Sequence, residues 1–353
     1  MSETAWLVRG GKAGERDQWA LDTGVAGIGF HDVPDMSDIT SWDDMKTFAA
    51  THIAGVTVQG ATNYAAQLWA FIEKIVIGDT IVLPIKNTPY LAIGKVTGPY
   101  KYDSTSPDLG RRHSRTVDWV RTDIPRTALR QDLLHSLGAF LTVCKVERND
   151  AAWRLGQVLA SGTDPGSRTQ LPTTSPVSKT VSADENLSDE TSGIDVIRYS
   201  KDRIASRIAE SFAGHRLADL VASVLEAEGY RCFVSPPGPD NGVDILAGTG
   251  LLGLGSPRIV VQVKSQASPI SNDVVSQLQG TVAMHKADQG LLVAWGGVTK
   301  AARSILSNQY FQIAIWDSDR VIEEVFKHYD ALPEAIQLDL PLQRTWALVE
   351  NGE

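Results

Sequence analysis

Cysteine is almost absent from these 353 residues: Cys144 and Cys232 are the only two, each in an apolar stretch of a different half. That excludes a disulfide framework and a cysteine-rich zinc site, and both are expected to be buried free thiols. Long apolar runs are missing as well, none approaching the roughly 20 residues that span a bilayer, and no charged-then-apolar leader opens the chain at Met1-Ser2-Glu3-Thr4. The expectation is a soluble, cytoplasmic protein with no membrane partner. A basic excess is lacking too. The formal net charge is −9, which argues against a protein that coats nucleic acid indiscriminately through its phosphates.

What is present is ordinary globular composition, 42% hydrophobic and 21% charged, in a chain longer than one core usually serves, so two domains are expected. From Ser161 to about Asp195 the aromatics vanish and Ser, Thr, Pro, Gly, Asp and Glu take over. Such a stretch buries too little apolar surface to offset the entropy of ordering it. Residues 156–195 are therefore read as a flexible linker between a first domain at 1–155 and a second at 196–353. Within the first, Lys95 to Arg130 holds eight Lys/Arg against four Asp, including Arg111-Arg112-His113-Ser114-Arg115. A phosphate-facing loop or a solvated surface segment would each give such a count, and charge alone does not choose.

The first domain reads as several short strands with one or two helices. Ala5-Trp6-Leu7-Val8, Gly24 to Phe30, Thr80 to Pro84, Tyr90 to Val96, Val117 to Val120 and Phe140 to Cys144 have strand character, and Ala65 to Ile72 has helical spacing. A small mixed barrel or curved sheet follows. The Trp6 strand, GVAGIGF, GDTIVLP, YLAIGKVTGPYKY and HSRTVDW over residues 5–146 resemble the EVE-like branch of the PUA superfamily. That resemblance implies a PUA/EVE-like mixed β-barrel with a pocket for a flipped-out, modified base. Phe30, Trp69 and Tyr100 are candidate stacking residues and Asn63 a candidate edge reader, against the alternative that all four are core or loop packing. His113 and Arg115 are candidate phosphate contacts.

In the second domain, Leu217, Leu220, Val221, Val224 and Leu225 space an amphipathic helix that ends at Gly229. Strands are expected at 230–234, 243–246 and 258–265, with a turn at Pro236 to Gly242 and a Gly-rich hairpin between the last two strands. In the third strand, alternation puts Gln262 and Lys264 on one face and Val261 and Val263 on the other. Asp244, Gln262 and Lys264 interrupt an otherwise apolar sheet, so they answer to one another or to a ligand. A buried Asp244–Lys264 ion pair beside Gln262 is one reading; a metal site is the other.

Residues 205–326 resemble the Mrr-like catalytic domain of the PD-(D/E)XK nucleases, in the Gly229-Tyr230 helix end, PPGPDNGVDIL, VVQVKS and Gln277-Leu278-Gln279-Gly280, arriving in that order. The resemblance implies a restriction-endonuclease-like α/β core, a central mixed sheet flanked by helices. By the same resemblance Asp244 is the metal-binding carboxylate, Gln262 stands at the usual Asp/Glu position, as in Mrr-like members, and Lys264 is the motif lysine. Magnesium or manganese would be held by Asp244, Gln262 and the Val263 carbonyl. Lys264 would orient or help deprotonate the attacking water and stabilise charge on a phosphorane-like transition state. His215 and Gln279 are candidate nucleic-acid contacts, Ser265 helps shape the active face, Arg303 reads as DNA support or a wet helical face, and Asp240 reads as part of the turn.

The whole chain is then expected to be a modification-dependent, type IV-like DNA restriction endonuclease. Its fold class is α/β and α+β in two domains, its cofactor Mg or Mn, and its partners double-stranded DNA carrying a modified base and a second copy in a homodimer. Two alternatives stay open: a non-catalytic sensor of modified nucleic acid on a nuclease fold, and an RNA-directed nuclease.

Overall fold

A computed structural model describes residues 4–53, 57–86, 88–139, 141–168, 195–236, 242–307 and 311–346. They fall into two compact units, one holding the described residues up to Ile124 and from Leu129 to Tyr199, the other Pro125–Ala128 and the described residues from Ser200 onward. No helix among them is long and apolar enough to cross a membrane.

The first unit runs β1 Ala5–Val8, α1 Asp17–Thr23, β2 Val25–Ile28, α2 Trp42–His52 and α3 Val58–Trp69, whose end widens into a π turn at Ala70–Lys74. It continues with β3 Thr80–Pro84, β4 Tyr90–Tyr102, β5 His113–Pro125, α4 Gln131–Ser136, β6 Val143–Val146 and α5 Ala151–Ser161. Alternation along β1 sends Trp6 and Val8 to one face and Ala5 and Leu7 to the other, and each face meets helices. Met45, Ala49, Ala65 and Leu68 of α2 and α3 pack on the first, and Leu133, Leu134, Leu155 and Val158 of α4 and α5 on the second.

The expected barrel is corrected here. The six strands form one mixed sheet in the order β2-β5-β4-β3-β1-β6, with β1 parallel to β3 and antiparallel to β6. No closure between β2 and β6 is found among the described residues. Helices cover both faces, so burial does not require the sheet to curl onto itself. Helices α2, α4 and α5 were missed in the sequence; α2 is started by Ser41, whose hydroxyl accepts from Asp44 N–H at 3.2 Å.

Of the segment read as linker, Gly156–Ser161 is the end of α5, and Asp164 is buried against Arg154. Residues 169–194 lie outside the described residues, as do Phe140 and residues 237–241 of the expected turn, Asp240 among them.

The second unit takes α6 Val196–Ser211 from Ser200 onward and continues with α7 Arg216–Ala227, β7 Arg231–Val234, β8 Ile245–Thr249, β9 Gly255–Lys264, α8 Asn272–Met284, β10 Gln289–Ala294, α9 Lys300–Ser307, β11 Ile313–Trp316, α10 Ser318–His328 and α11 Glu334–Asp339. The sheet order is β11-β10-β9-β8-β7; β7, β8 and β9 pair antiparallel, and β9, β10 and β11 pair parallel. It is the expected central mixed sheet. Leu220, Val221 and Val224 of α7 and Val321, Ile322 and Val325 of α10 pack on the face carrying Ile245 and Val261. Val275 and Leu278 of α8 and Ala302 and Leu306 of α9 pack on the face carrying Val260 and Leu292. Both cysteines are free, Cys144 buried and Cys232 only half-buried on the edge strand β7. Burial pushes the Cys232 thiol up to about 12, far from a reactive thiolate.

Candidate functional site

The alternation that seats Val261 and Val263 against the α7 layer turns Gln262 and Lys264 toward α8. Ile245 is registered with Val261, so Asp244, one residue earlier, stands opposite Gln262 and projects to the same face. The pairing continues through that step, since Asp244 N–H donates to the Val261 carbonyl at 3.0 Å. Asp244 Oδ2 also accepts from Val263 N–H at 2.7 Å. A residue in extended chain points its N–H and C=O to the same edge, so the Val263 carbonyl faces Asp244 as well.

Gln262 is the anomaly of this face. Its side chain is 0% exposed, and neither Oε1 nor Nε2 has a hydrogen-bond partner among the described residues. Leaving such groups unmatched costs on the order of 1–3 kcal/mol, which an apolar residue at 262 would avoid. Beside it lies Gly242. A Cβ there would sit 3.1 Å from Gln262 Nε2 and 2.9 Å from Gln277 Nε2 of α8, at a φ of +83°. The bare α-carbon therefore keeps open the space between two side-chain amides, and the backbone angle favours glycine independently.

These oxygens suit a hard divalent cation. A carboxylate, an amide oxygen and a backbone carbonyl are the donors that magnesium and manganese prefer, and such an ion would match the orphaned Gln262 Oε1. Lys264 is half-buried on the same face. Another cluster of metal-ligand character, Glu228, Glu324 and His328, is an ion-pair network instead. Lys327 donates to Glu228, Arg320 Nη2 bonds Glu324 at 2.5 Å, and His328 Nε2 bonds Glu228 at 2.7 Å.

The second unit also matches a known family. Residues 209–325 match the restriction endonuclease family, the Mrr catalytic domain. The span runs from the end of α6 to α10 and contains all three polar residues of the face. Residues 6–136 match a family described only as a domain of unknown function, and nothing in that match identifies an EVE domain. No curated protein matches the chain.

Among solved structures, the chain resembles the MspJI restriction endonuclease in complex with a 27-mer oligonucleotide at 16% identity and a TM-score of 0.33, covering 94% of this chain and 77% of that one. It resembles the DNA modification-dependent restriction endonuclease AspBHI at 13% identity and 0.33, covering 81% and 74%. A protein of unknown function is similar at 12% identity and 0.25, covering 30% of this chain; the chain spans 64% of that structure's length. Likenesses this remote identify no activity.

Within the restriction-endonuclease-type domain, His215 sits at the N-terminal cap position of α7 with no capping hydrogen bond from its side chain. Gln279 is half-buried on α8. It lies about 200° around α8 from Gln277, and Gln277 is the residue that reaches Gly242. The sequence carried a signal for this, because Leu278 marks the buried stripe of α8 and a residue on each side of it faces a different edge. Ser265 and Arg303 are exposed.

Two phosphate candidates of the first unit are also corrected. His113 is 0% exposed; its Nε2–H donates to the Val33 carbonyl at 2.9 Å and its Nδ1 accepts from the Tyr100 hydroxyl at 2.8 Å. Burial lowers its pKa, so the ring is held neutral. Arg115, 4% exposed, donates from Nε to the Phe71 carbonyl at 2.5 Å, from Nη2 to Ile72 at 2.6 Å and from Nη1 to Gly98 at 3.3 Å. The π turn leaves carbonyls there that the guanidinium caps, and burial pushes its pKa down to about 10. Neither side chain is available to a phosphate.

Tyr100 is likewise committed. It lies edge-on to Phe71 at 6.2 Å and along His113 at 6.0 Å, and burial raises the pKa of its hydroxyl. Phe30 stands edge-on to Tyr64 at 5.8 Å, and Phe30 and Trp69 are half-buried against the same core. Asn63 Oδ1 is buried with no partner.

Proposed function

We propose that the chain is a metal-dependent DNA restriction endonuclease that acts on modified DNA, with hydrolysis in the second unit and base recognition in the first. One observation carries the catalytic half of this reading: a fully buried, unpartnered Gln262 amide on the same face as Asp244 and Lys264. A buried structural ion pair would leave no reason for that amide. Its location inside the span that matches the restriction endonuclease family gives the face a reaction class.

Asp244, Gln262 Oε1 and the Val263 carbonyl would hold the ion. When bound, a divalent cation supplies Lewis acidity at a phosphodiester and lowers the pKa of a water. The Lys264 ammonium lies on the same face, where it orients the attacking water and offsets negative charge growing on the phosphate oxygens. Asp244 fixes the strand ends as well as the ion, since its carboxylate is anchored on Val263 N–H. A neutral amide in place of a second carboxylate makes the ion weakly held, so activity is expected to need free magnesium or manganese well above a trace level.

Recognition of a modified base by the first unit and pairing of two copies, so that both strands are cut, complete the proposal. The test is titration calorimetry of the full chain with manganese beside digestion of plasmids that differ only in cytosine or adenine modification. Metal uptake with cleavage confined to a modified plasmid is expected. Modified-DNA binding with neither metal uptake nor cleavage would establish the sensor reading instead, and preferential cleavage of RNA the RNA-directed one.

A further inference from the structure

The loop between β1 and α1 holds a second set of unmatched polar groups, in the first unit and outside the residues proposed above. Arg16 is 9% exposed and Asp17 is 6% exposed. Arg16 Nε is buried with no partner, and among the described residues no hydrogen bond or ion pair holds the rest of its guanidinium. Asp17 Oδ2 accepts from Lys86 N–H at 2.7 Å, whereas Oδ1 is buried with nothing to accept from. A lone donor and a lone acceptor thus stand on adjacent residues.

Glycines surround both. A Cβ on Gly10 or Gly14 would come within 1.9 or 2.5 Å of an Asp17 carboxylate oxygen. One on Gly29 would lie 2.1 Å from Arg16 Nη1, and one on Gly110 would lie 3.2 Å from the same nitrogen. Side chains at Gly10, Gly14 or Gly29 would collide with Asp17 or Arg16, so these positions leave room for the pair without supplying a partner to it. The neighbourhood also selects against an anion: Glu15, Asp17 and Asp108 all act electrostatically on Arg16, against the single further cation Arg111. A phosphate would meet three carboxylates, while a neutral group carrying an acceptor beside a donor meets no such opposition.

We infer that this glycine-lined cradle is a binding site for the edge of a nucleobase, whose ring or carbonyl acceptor takes the Arg16 guanidinium while its neighbouring amino group donates to Asp17 Oδ1. Adenine and cytosine carry that pairing on one edge. The inference rests on the reading that the first unit recognises bases, and it moves recognition away from Tyr100 and His113 to the β1–α1 loop.

The full chain, with its arginine side chains labelled with nitrogen-15, is titrated with adenosine, N6-methyladenosine, cytidine and 5-methylcytidine while the Arg16 Nε–H resonance is followed. That resonance is assigned by its disappearance in Arg16→Lys. Purine riboside, which keeps the ring acceptors but lacks the amino donor, and inorganic phosphate serve as the comparison ligands. A saturable shift with an amino-bearing nucleoside, at least tenfold tighter than with purine riboside and weakened in Gly29→Ala, is the expected result. A shift with phosphate alone overturns the inference, and so does the absence of any shift, which would leave the groups matched by ordered water only. Plasmid digestion by the same protein separates the two readings. Modification-dependent cleavage without a nucleoside shift sinks the cradle and leaves the nuclease standing, and a nucleoside shift without cleavage does the reverse.

Discussion

Arg154 in the first unit and Gln262 in the second are both 0% exposed, yet they are treated in opposite ways. Arg154 sends Nε and Nη2 to Asp164 at 2.8 and 2.6 Å, Nη1 and Nη2 to Asp132 at 2.7 and 2.9 Å, and Nη1 also to the Asn149 carbonyl at 3.1 Å. Gln262, which is neutral and far easier to satisfy, has nothing. Burial by itself therefore does not separate structural polar groups from functional ones; completeness of pairing does. By that measure Arg115 and His113 belong with Arg154, and Arg16 belongs with Gln262.

Removing Arg154 tests the structural side and should have the largest effect. Arg154→Met leaves the Asp164 carboxylate buried without its countercharge and is expected to destabilise the first unit by about 3–5 kcal/mol, read as a lowered melting temperature. Acid should narrow the gap between the two proteins. Burial pulls the Asp164 pKa upward, but the Arg154 bonds and the N–H groups of Arg130 and Gly166 outweigh it and hold the carboxyl below its ordinary 3.8. In the wild type that contribution is present above 3.8 and is lost as pH falls through the lower folded value. Without Arg154 the protonated form is preferred, so the variant gains where the wild type loses. A gap that stays constant down to strongly acid pH would refute the assignment.

On the functional side, Lys264→Ala should reduce cleavage of a modified plasmid by about 10²–10³-fold while leaving the melting temperature in place. Cleavage at the wild-type rate would remove Lys264 from the proposed chemistry.

Gln262→Leu sharpens the contrast, because replacing an orphaned amide with an apolar side chain of similar size should leave stability unchanged or raise it by up to about 1–3 kcal/mol. Manganese uptake should disappear in the same protein, and calorimetry checks both halves. A clear loss of stability with metal uptake intact would make Gln262 structural after all.

The smallest expected effect concerns His113. Its pKa is lowered by burial from 6.5, so its contribution to stability is complete above that value and is lost as pH falls from there through the folded value. Melting of the wild type should therefore decline on acidification below about pH 6.5 more steeply than melting of His113→Gln. Identical pH profiles would count against a buried neutral ring.

The second unit was largely legible in the sequence because its signals are local. Val260 to Val263 alternate between two apolar layers, and the same period that seats the valines turns Gln262 and Lys264 together. The helix at 217–225 and the three strands that follow it are read from spacing in the same way. The first unit misled where the signal is not local: strand lengths and turns of β1 to β6 are compatible with a barrel or a sheet, and which one forms depends on α2, α3, α4 and α5 arriving to cover both faces. Arg115 looked basic and available for the same reason. No residue near it in sequence announces that the π turn, some forty positions earlier, presents open carbonyls to it.

The sequence by itself determined which face of β9 each side chain takes and the helical stripe of α7, since period is a property of neighbouring residues. Only the tertiary structure decided which buried polar groups are matched. Hydrogen-bond partners such as Asp164 for Arg154, or their lack at Gln262 and Arg16, depend on where distant backbone and side chains arrive once the chain has folded.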